Sequence, residues 1–467
     1  MNLLKKTYEI LRSTATLALI IKLSVCTGVF VLSILFWWPG IIITALLASV
    51  FIIIEANVKS IAYVLFLASF ENFLRHRFEL VTYTALLVCA FIYITRKPRA
   101  EKKKFLFLAV AIIVYLLYSL LISHRTLGAQ YLALLRHILL LFLICNLKED
   151  LDFKTLVYVF IWGILVASVI GLFVNSIPNL AFRTMEHRFS GLTRFGALTG
   201  NPNRLHPHIF VAINGLFILD FRKQISKKTL VPLFAILFAL GLTTISRTFC
   251  FAIVINLVCY VGLKLWYDRN AAFKQIAMIM LAALTACLVL HQYTLANLMR
   301  CGIIEERAIV QRQTPPRQDT DQGVHPDHIL WHGAEDFEDP GRQGIWRRNI
   351  EEWLSTPRTI LLGHGYGSSN FGMPHTHNLY IFLLVKTGVI GVLLFIFFLF
   401  TLFHSMYKVK KYKFELVTLL FLVIFACHSI FELRFPAITG FIFFYMFIIS
   451  IESRKEDYEG GNINIEP

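Results

Sequence analysis

Charged residues are scarce in this chain of 467 residues: they make up 16% of the composition, against about 25% in a typical soluble domain. Hydrophobic residues account for 57%, and the mean hydropathy is +0.65. Several apolar runs, among them 105–122 and 388–403, reach or approach the roughly 20 residues that a helix needs to cross a bilayer. The shortage of charge therefore indicates a polytopic integral membrane protein.

Paired cysteine motifs and clusters of metal-binding residues are also missing. No Cys-x-x-Cys sequence occurs, and of the eight cysteines only Cys301 falls in an expected loop, so neither a disulfide framework nor a zinc site is indicated. The sequence Asp-Thr-Asp at 319–321 superficially looks like a metal-binding pair. It lies, however, in a Pro- and Gln-rich stretch without a third ligand at a suggestive spacing. We therefore predict no metal and no other cofactor.

Basic residues outnumber acidic ones, and the formal net charge is +16. In a soluble protein this excess would suggest a nucleic-acid partner. Here the basic residues stand in short clusters between apolar runs. This arrangement is typical of membrane proteins, in which Lys and Arg keep loops on the cytoplasmic side. These clusters are 5–12, 96–104, 222–228, 264–274 and 408–413. We therefore expect contact with membrane lipids and no binding of nucleic acid.

The apolar runs predict an all-α fold, a polytopic transmembrane helical bundle of twelve to fourteen spans. The candidate spans are 16–37, 40–54, 60–73, 78–95, 105–123, 128–147, 154–175, 204–220, 229–244, 249–266, 273–293, 378–407, 414–431 and 436–452. The second and third are short for a full crossing and leave the count open. The resulting segments are transmembrane helices over 1–293 with an outer loop at 176–203, a large outer loop at 294–377, further helices over 378–452 and a cytoplasmic tail at 453–467.

The orientation follows from the basic clusters, because each pair of them is separated by an even number of candidate spans. All clusters can then lie in the cytoplasm, together with both chain ends. The two long loops face the other side; neither contains Lys, and the larger one has eight Arg against eleven acidic residues. Within it, the pattern over 342–354 predicts a short amphipathic helix that ends before Pro357. Its polar face would carry the pairs Arg347–Glu351 and Arg348–Glu352.

Three groups of polar residues fall at the predicted outer surface. The first contains Arg188 and Arg194 and continues to Asn203. The second is Thr-Ile-Ser-Arg-Thr at 244–248, which contains Arg247 and lies in the tight turn between two spans. The third is Pro-His-Thr-His-Asn at 374–378, where the large loop re-enters the membrane. Arg is suited to phosphate, because its planar guanidinium stays charged and donates two parallel hydrogen bonds to phosphate oxygens.

Two arginines and a histidine would suit the attack of a sugar hydroxyl on a sugar linked to a lipid pyrophosphate. The guanidinium groups would neutralise the leaving pyrophosphate, and His377 would take the hydroxyl proton. Arginines at helix ends also extend to lipid phosphates, which is an equal alternative for Arg188 and Arg194. A tight turn leaves less room for that at Arg247. His375 and His364 are explained as well by helix capping or solvation.

The spacing around the third group resembles a family signature. His377-Asn378 is followed by nine residues and then Gly388, with Gly391 three further on. This resembles the pattern His-(Asn/Ser/Gln)-x9-Gly-x-x-(Gly/Thr/Tyr) of the O-antigen ligases and the related O-antigen polymerases. Further motifs agree in order: Arg-x-Ser-Gly and Asn-Pro-Asn within 188–203, Ser-Arg-Thr at 246–248, Arg-Gln-Gly-Ile-Trp at 342–346 and Leu-Gly-His-Gly-Tyr-Gly at 362–367.

The resemblance implies a glycosyltransferase of the bacterial inner membrane with its active site on the periplasmic side. Such enzymes join a glycan carried on undecaprenyl pyrophosphate to an acceptor, here a lipid A-core hydroxyl or a growing glycan, without a metal or nucleotide. By motif, Arg188 and Arg247 would bind the pyrophosphate and His377 would be the general base. The resemblance and the positions of the polar residues imply supporting substrate contacts from Arg194, Arg342, Asn203, Asn378 and His375, of which His375 also competes for the role of base.

Other functions stay open on the sequence. A polymerase that extends the lipid-linked repeat needs the same base and the same pyrophosphate site, so the motifs do not separate it from a ligase. A transporter or flippase for this lipid would favour charged residues at the membrane midplane and related halves, and the sequence has no clear repeat. A structural anchor fits poorly with an outer loop of roughly eighty residues bearing several Arg and His.

Overall fold

The structure of the protein, a computed structural model, describes residues 70, 153–176, 188–189, 192–267, 269–304, 341–364 and 378–408. This part of the chain is mostly helical and includes a short two-stranded antiparallel hairpin. The elements in chain order are α1 (Phe153–Ser176), β1 (Arg188–Phe189), β2 (Leu192–Thr193), a 3-10 turn (Ala197–Thr199), α2 (Pro202–Phe221), α3 (Lys227–Thr243), α4 (Arg247–Tyr267), α5 (Arg269–Val289), α6 (His291–Arg300), α7 (Gly341–Trp353), α8 (Pro357–Leu362) and α9 (Leu379–Lys408). The spans predicted before residue 153 and after residue 408, and the predicted tail at 453–467, lie outside the described residues.

Three of the described helices are long and apolar enough to cross a membrane. Their apolar stretches are Phe153–Phe173 in α1, Arg247–Trp266 in α4 and Ala272–Val289 in α5. Large apolar side chains on α4 and α5, such as Phe251 and Leu288, are exposed. Exposed apolar surface on this scale fits contact with lipid chains better than contact with water. The described helices thus support a helical membrane protein, while the number of spans and the side of each loop stay predictions.

Most helix boundaries follow the expected spans closely, with one clear exception. The span expected at 273–293 ends at Val289, and Leu290 leaves the helical conformation with φ −102° and ψ 40° before α6 begins. The sequence there contains neither Pro nor Gly, so no local residue type marks the break. The amphipathic helix expected at 342–354 is present as α7. Its predicted pair Arg347–Glu351 is formed, with Nε and Oε1 2.8 Å apart.

Helix α2 forms the centre of the packed helices. Asn201 caps its start, because the side-chain oxygen accepts the backbone N–H of Asn203 at 2.8 Å. Pro202 occupies the first helical position, where no backbone donor is needed. Nearly every later side chain of α2 is buried, and the helix packs against α1, α3 and α4. Phe217, for example, stacks on Tyr260 of α4 with ring centroids 4.1 Å apart.

A buried charged cluster lies at the end of α2 that is remote from its cap. Lys264 of α4 forms an ion pair with Asp220, which also accepts hydrogen bonds from Tyr260 at 2.8 Å and from Gln275 at 2.6 Å. All four side chains are buried. Buried charges are tolerated only where they are paired and hydrogen-bonded, and this carboxylate is satisfied on both oxygens. Lys264, which belongs to a basic cluster predicted on the cytoplasmic side, is buried and joins three helices.

Helices α7 and α8 both pack against α9. Thr356 caps α8 through a reciprocal pair of hydrogen bonds with Thr359. The indole N–H of Trp353 donates to the carbonyl of Ile360 at 3.1 Å, which fixes the turn between α7 and α8. Pro357 was expected to mark the end of the amphipathic helix; it does follow α7, and it is also the first residue of α8.

Candidate functional site

The tight turn between α3 and α4 has a strained backbone. Ile245 adopts φ of 44°, in the left-handed region that a β-branched side chain rarely enters. Ser246 is buried, and its Oγ accepts the backbone N–H of Phe249 at 3.4 Å, which caps α4. Strain of this kind costs about 1–3 kcal/mol and persists where the surroundings over-determine the conformation. Contacts from other elements must therefore fix this turn.

Arg247 is the first residue of α4, and its side chain is exposed. The first turn of a helix presents backbone N–H groups without intrahelical partners, and the helix dipole is positive there. An exposed guanidinium at the same place adds a full charge with a forked donor geometry. The start of α4 therefore combines two features that attract a phosphate-type anion.

Arg194 fixes the turn from the loop that follows the hairpin. Its Nε donates to the carbonyl of Thr244 at 2.9 Å, and its Nη2 donates to Oδ1 of Asn203 at 2.8 Å. The backbone N–H of Phe195 adds a hydrogen bond to the carbonyl of Thr243 at 2.9 Å. The Arg194 side chain is 6% exposed, so it points into the protein and does not extend to lipid phosphates. The first and second groups predicted from the sequence are thus in direct contact.

Helix α6 holds the same turn from a second side. Asn297 donates through Nδ2 to the carbonyl of Leu242 at 2.8 Å, and Arg300 donates through Nη1 to the carbonyl of Ile245 at 2.8 Å. Neither residue stands out in the sequence. The available indication was their spacing: Tyr293, Asn297 and Arg300 recur at i, i+4 and i+7, which places them on one face of a helix.

The hairpin places the backbone of Arg188 near the turn before Arg247 and the residues that contact this turn. Arg188 pairs with Thr193 across the two strands, and its neighbour Phe189 pairs with Leu192. The Arg300 guanidinium carbon lies 5.5 Å from the centre of the Phe189 ring. One guanidinium, that of Arg300, therefore contacts both the strand that carries Arg188 and the turn that precedes Arg247.

Two buried histidines lie in the first turns of α2, and the sequence motifs do not include them. His206 Nδ1 lies 3.3 Å from the carbonyl of Pro202, and His208 Nδ1 donates to the carbonyl of Arg204 at 2.7 Å. His208 also stacks on Phe160 of α1, with ring centroids 5.8 Å apart. These contacts give both rings a role in packing the first turns of α2.

The third group is described only at its last residue. Asn378 is buried and caps α9, because its Oδ1 accepts the backbone N–H groups of Tyr380 at 2.9 Å and Ile381 at 3.1 Å. Helix α9 is also joined to the end of α8, because the backbone N–H of His364 donates to the carbonyl of Val385 at 2.9 Å. The predicted substrate residue Asn378 thus orders the start of the helix that the His-Asn motif precedes.

Four predicted site residues cannot be fully placed against this geometry. His377 and His375 lie outside the described residues. Arg188 lies in β1 and Arg342 is the second residue of α7, but neither side chain is among those described. The meeting of a histidine base with the arginines therefore stays a prediction. The hydrogen bonds that join Asn203 to Arg194, and Arg194 to the turn before Arg247, are features of the structure.

Comparison of the chain with protein-family models, with curated proteins and with solved structures finds no match.

Proposed function

We propose that the protein is a metal-independent glycosyltransferase that moves a glycan from undecaprenyl pyrophosphate to a lipid A-core hydroxyl on the periplasmic side of the bacterial inner membrane. The observation that carries the proposal is the strained turn before Arg247, which Arg194 and Arg300 hold from two sides. Backbone strain fixed by surrounding contacts is typical of functional sites. The exposed arginine that follows it is suited to a pyrophosphate.

In the proposed reaction the acceptor hydroxyl oxygen attacks the anomeric carbon of the lipid-linked sugar. The new glycosidic bond forms while the bond from that carbon to the pyrophosphate oxygen breaks. His377 takes the hydroxyl proton, and undecaprenyl pyrophosphate leaves with the bonding electron pair. Arg247, the first turn of α4 and Arg188 stabilise the negative charge that develops on the leaving group.

Arg194 and Asn203 have an indirect role in this scheme. The Arg194 guanidinium is committed to the carbonyl of Thr244 and to Asn203, so it fixes the turn that presents Arg247. Charge stabilisation in a transition state depends on groups that are oriented before the reaction, because no free energy is then spent on reorganising them. Arg194 is therefore proposed as a positioning residue.

The test uses purified protein in lipid nanodiscs with a lipid-linked glycan donor and a lipid A-core acceptor. We expect transfer by the wild-type protein and by His291→Ala, a control at an exposed histidine of α6. His377→Ala should abolish transfer. Lipid translocation, followed in parallel with a fluorescent polyprenyl donor, should not depend on His377. Loss of translocation in His377→Ala with transfer intact would favour a transporter instead.

The same assay separates the ligase from the polymerase, which uses the same chemistry. Donor supplied without acceptor should give no longer products if the protein is a ligase. Growth of the lipid-linked glycan in that reaction would assign the polymerase function, with a growing glycan as the acceptor. Transfer that continues in the presence of a chelator would support metal independence.

A further inference from the structure

Cys250 and Cys301 come together at the same end of the described helices as Arg247. Cys250 lies in the first turn of α4, and Cys301 directly follows α6. The Cys250 thiol donates to Oδ1 of Asn297 at 3.2 Å, and the backbone N–H of Cys301 donates to the carbonyl of Asn297 at 2.9 Å. Cys301 is also an electrostatic neighbour of the Cys250 thiol. Two cysteines 51 positions apart in sequence are thus held next to the same residue, Asn297.

The surroundings favour a bond between these two thiols over other roles. Both side chains are partly exposed, and both are free thiols in the structure. Cys287 of α5 is a further neighbour of Cys250. Within the described ranges, no group of three His, Cys, Asp or Glu side chains is arranged to hold a metal ion. The sequence alone did not indicate this pair, because no short Cys spacing connects α4 with the end of α6.

We infer that Cys250 and Cys301 form a disulfide bond that ties the end of α6 to the start of α4. The inference rests on the proposed function in one respect: this end of the helices must face the periplasm. Disulfides form and persist in that compartment because dithiol oxidases keep it oxidising. Two cysteines that bind the same residue, Asn297, are well placed to react with each other there.

The oxidation is a thiol–disulfide exchange with an oxidase that carries a reactive disulfide. The thiolate of Cys301, at the open end of α6, attacks one sulfur of the oxidase, and the oxidase S–S bond breaks. The Cys250 thiolate then attacks the Cys301 sulfur of this mixed disulfide. The bond between Cys250 and Cys301 forms, and the oxidase leaves as a dithiol that has taken up two electrons and the two thiol protons.

The disulfide would reinforce contacts that already hold the turn before Arg247. Helix α6 reaches this turn through the hydrogen bonds of Asn297 to Leu242 and of Arg300 to Ile245. A covalent link beside them restricts the unfolded chain and keeps α6 in place when the helices loosen. We expect the oxidised protein to unfold several degrees higher than the reduced one. The hydrogen bonds remain after reduction, so the effect on stability should exceed the effect on turnover.

The experiment maps disulfides in protein taken from bacterial membranes. Free thiols are blocked with N-ethylmaleimide before purification without reductant, and the protein is digested with trypsin. The relevant peptides are 248–264 with Cys250 and Cys259, 275–300 with Cys287, and 301–307 with Cys301. We expect peptide 248–264 linked to 301–307 in the wild-type protein. The linked species should disappear in Cys250→Ser and Cys301→Ser and persist in Cys259→Ser, the matched control in the same peptide.

Two results would overturn the inference: complete alkylation of both Cys250 and Cys301, or a disulfide from Cys250 or Cys301 to Cys287 in peptide 275–300. A reductant should lower the unfolding temperature of the wild-type protein and leave that of Cys250→Ser unchanged. The disulfide must also form in His377→Ala, which separates the two proposals. If the wild-type protein transfers glycan but lacks the disulfide, this inference is wrong and the proposed function is unaffected. If it contains the disulfide but transfers no glycan, the proposed function is wrong and this inference is unaffected.

Discussion

Gly388 lies directly against the backbone of Leu361, so that a Cβ atom added at Gly388 would overlap the Leu361 carbonyl oxygen. Gly388 has φ of 64° and interrupts α9 with a non-helical conformation. Gly363 has a matching position at the end of α8, where a Cβ atom would come within 2.5 Å of the Lys386 carbonyl carbon. The end of α8 and the interruption of α9 thus approach at backbone distance, which glycine at both positions permits.

We predict that Gly388→Ala lowers the free energy of unfolding by at least about 2 kcal/mol, because the alanine meets both an unfavourable φ and a backbone overlap. Thermal unfolding in detergent micelles measures this loss. Glycan transfer should fall with it, since Gly388 follows the His377-Asn378 motif at a fixed spacing in the proposed family signature.

Gly262→Ala is the control for Gly388→Ala, because nothing lies near a Cβ atom added at Gly262 in α4. That variant should be as stable as the wild type or slightly more stable, because Ala favours helix. Equal stability of the two variants would contradict the close approach at Gly388.

Removal of the Arg194 side chain should destabilise the turn before Arg247. Arg194→Ala leaves the carbonyl of Thr244 and the side chain of Asn203 without these hydrogen bonds, which we expect to cost about 1–3 kcal/mol. Asn203→Ala removes one bond of the pair and should cost less. Thermal unfolding of the three proteins tests this order. An Arg194→Ala variant as stable as the wild type would show that the guanidinium is not committed to these internal contacts.

Sequence patterns were informative where the structure depends on neighbouring residues. The apolar runs gave α1 and α4 with boundaries close to those found, because a membrane helix is defined by a continuous stretch of apolar side chains. The tight turn before Arg247 was also expected, since two such stretches leave few residues between them. Counting spans predicted Arg194 and Asn203 on the same side of the membrane as this turn. The hydrogen bond from Arg194 to the Thr244 carbonyl could not be derived in that way.

The features that the sequence did not reveal are contacts between distant helices. Arg300 was counted only as one of eight arginines in a loop, although its guanidinium reaches the carbonyl of Ile245. Lys264 belongs to a basic cluster predicted on the cytoplasmic side, and that cluster gives no sign that the lysine is buried and paired with Asp220. No local periodicity specifies either partner, because tertiary packing decides which helix faces which. A lysine in a basic cluster has the same local pattern whether it is exposed or buried.

The pair of Asp220 and Lys264 should behave as a coupled unit in stability measurements. Replacing one member, as in Lys264→Met, leaves a buried charge without its counterion, which we expect to cost about 3–5 kcal/mol. Asp220→Leu should have a loss of similar size. The double variant should lose clearly less than the sum of the single losses, because it leaves no isolated charge behind. Lys228→Met, at an exposed lysine in the first turn of α3, is the control and should change stability little. Additive losses in the double variant would mean that the two charges do not depend on each other.

Arg247 is expected to act on the reaction rather than on stability. Its side chain is exposed, so Arg247→Ala should change the free energy of unfolding by less than about 0.5 kcal/mol. In the glycan-transfer assay the same variant should lose about 100-fold or more in kcat, the size of effect seen when one group that stabilises developing negative charge is removed. Arg247→Lys should recover only part of this loss, because an ammonium lacks the forked geometry that donates two hydrogen bonds to a phosphate.

Arg347→Ala is the matched control for Arg247→Ala, since that arginine is also exposed and forms a surface ion pair with Glu351. It should leave both stability and transfer unchanged. Inorganic pyrophosphate should inhibit the wild-type protein and the Arg347 variant at similar concentrations and the Arg247 variants only at higher ones. Wild-type turnover by Arg247→Lys with unchanged inhibition would remove Arg247 from the pyrophosphate site.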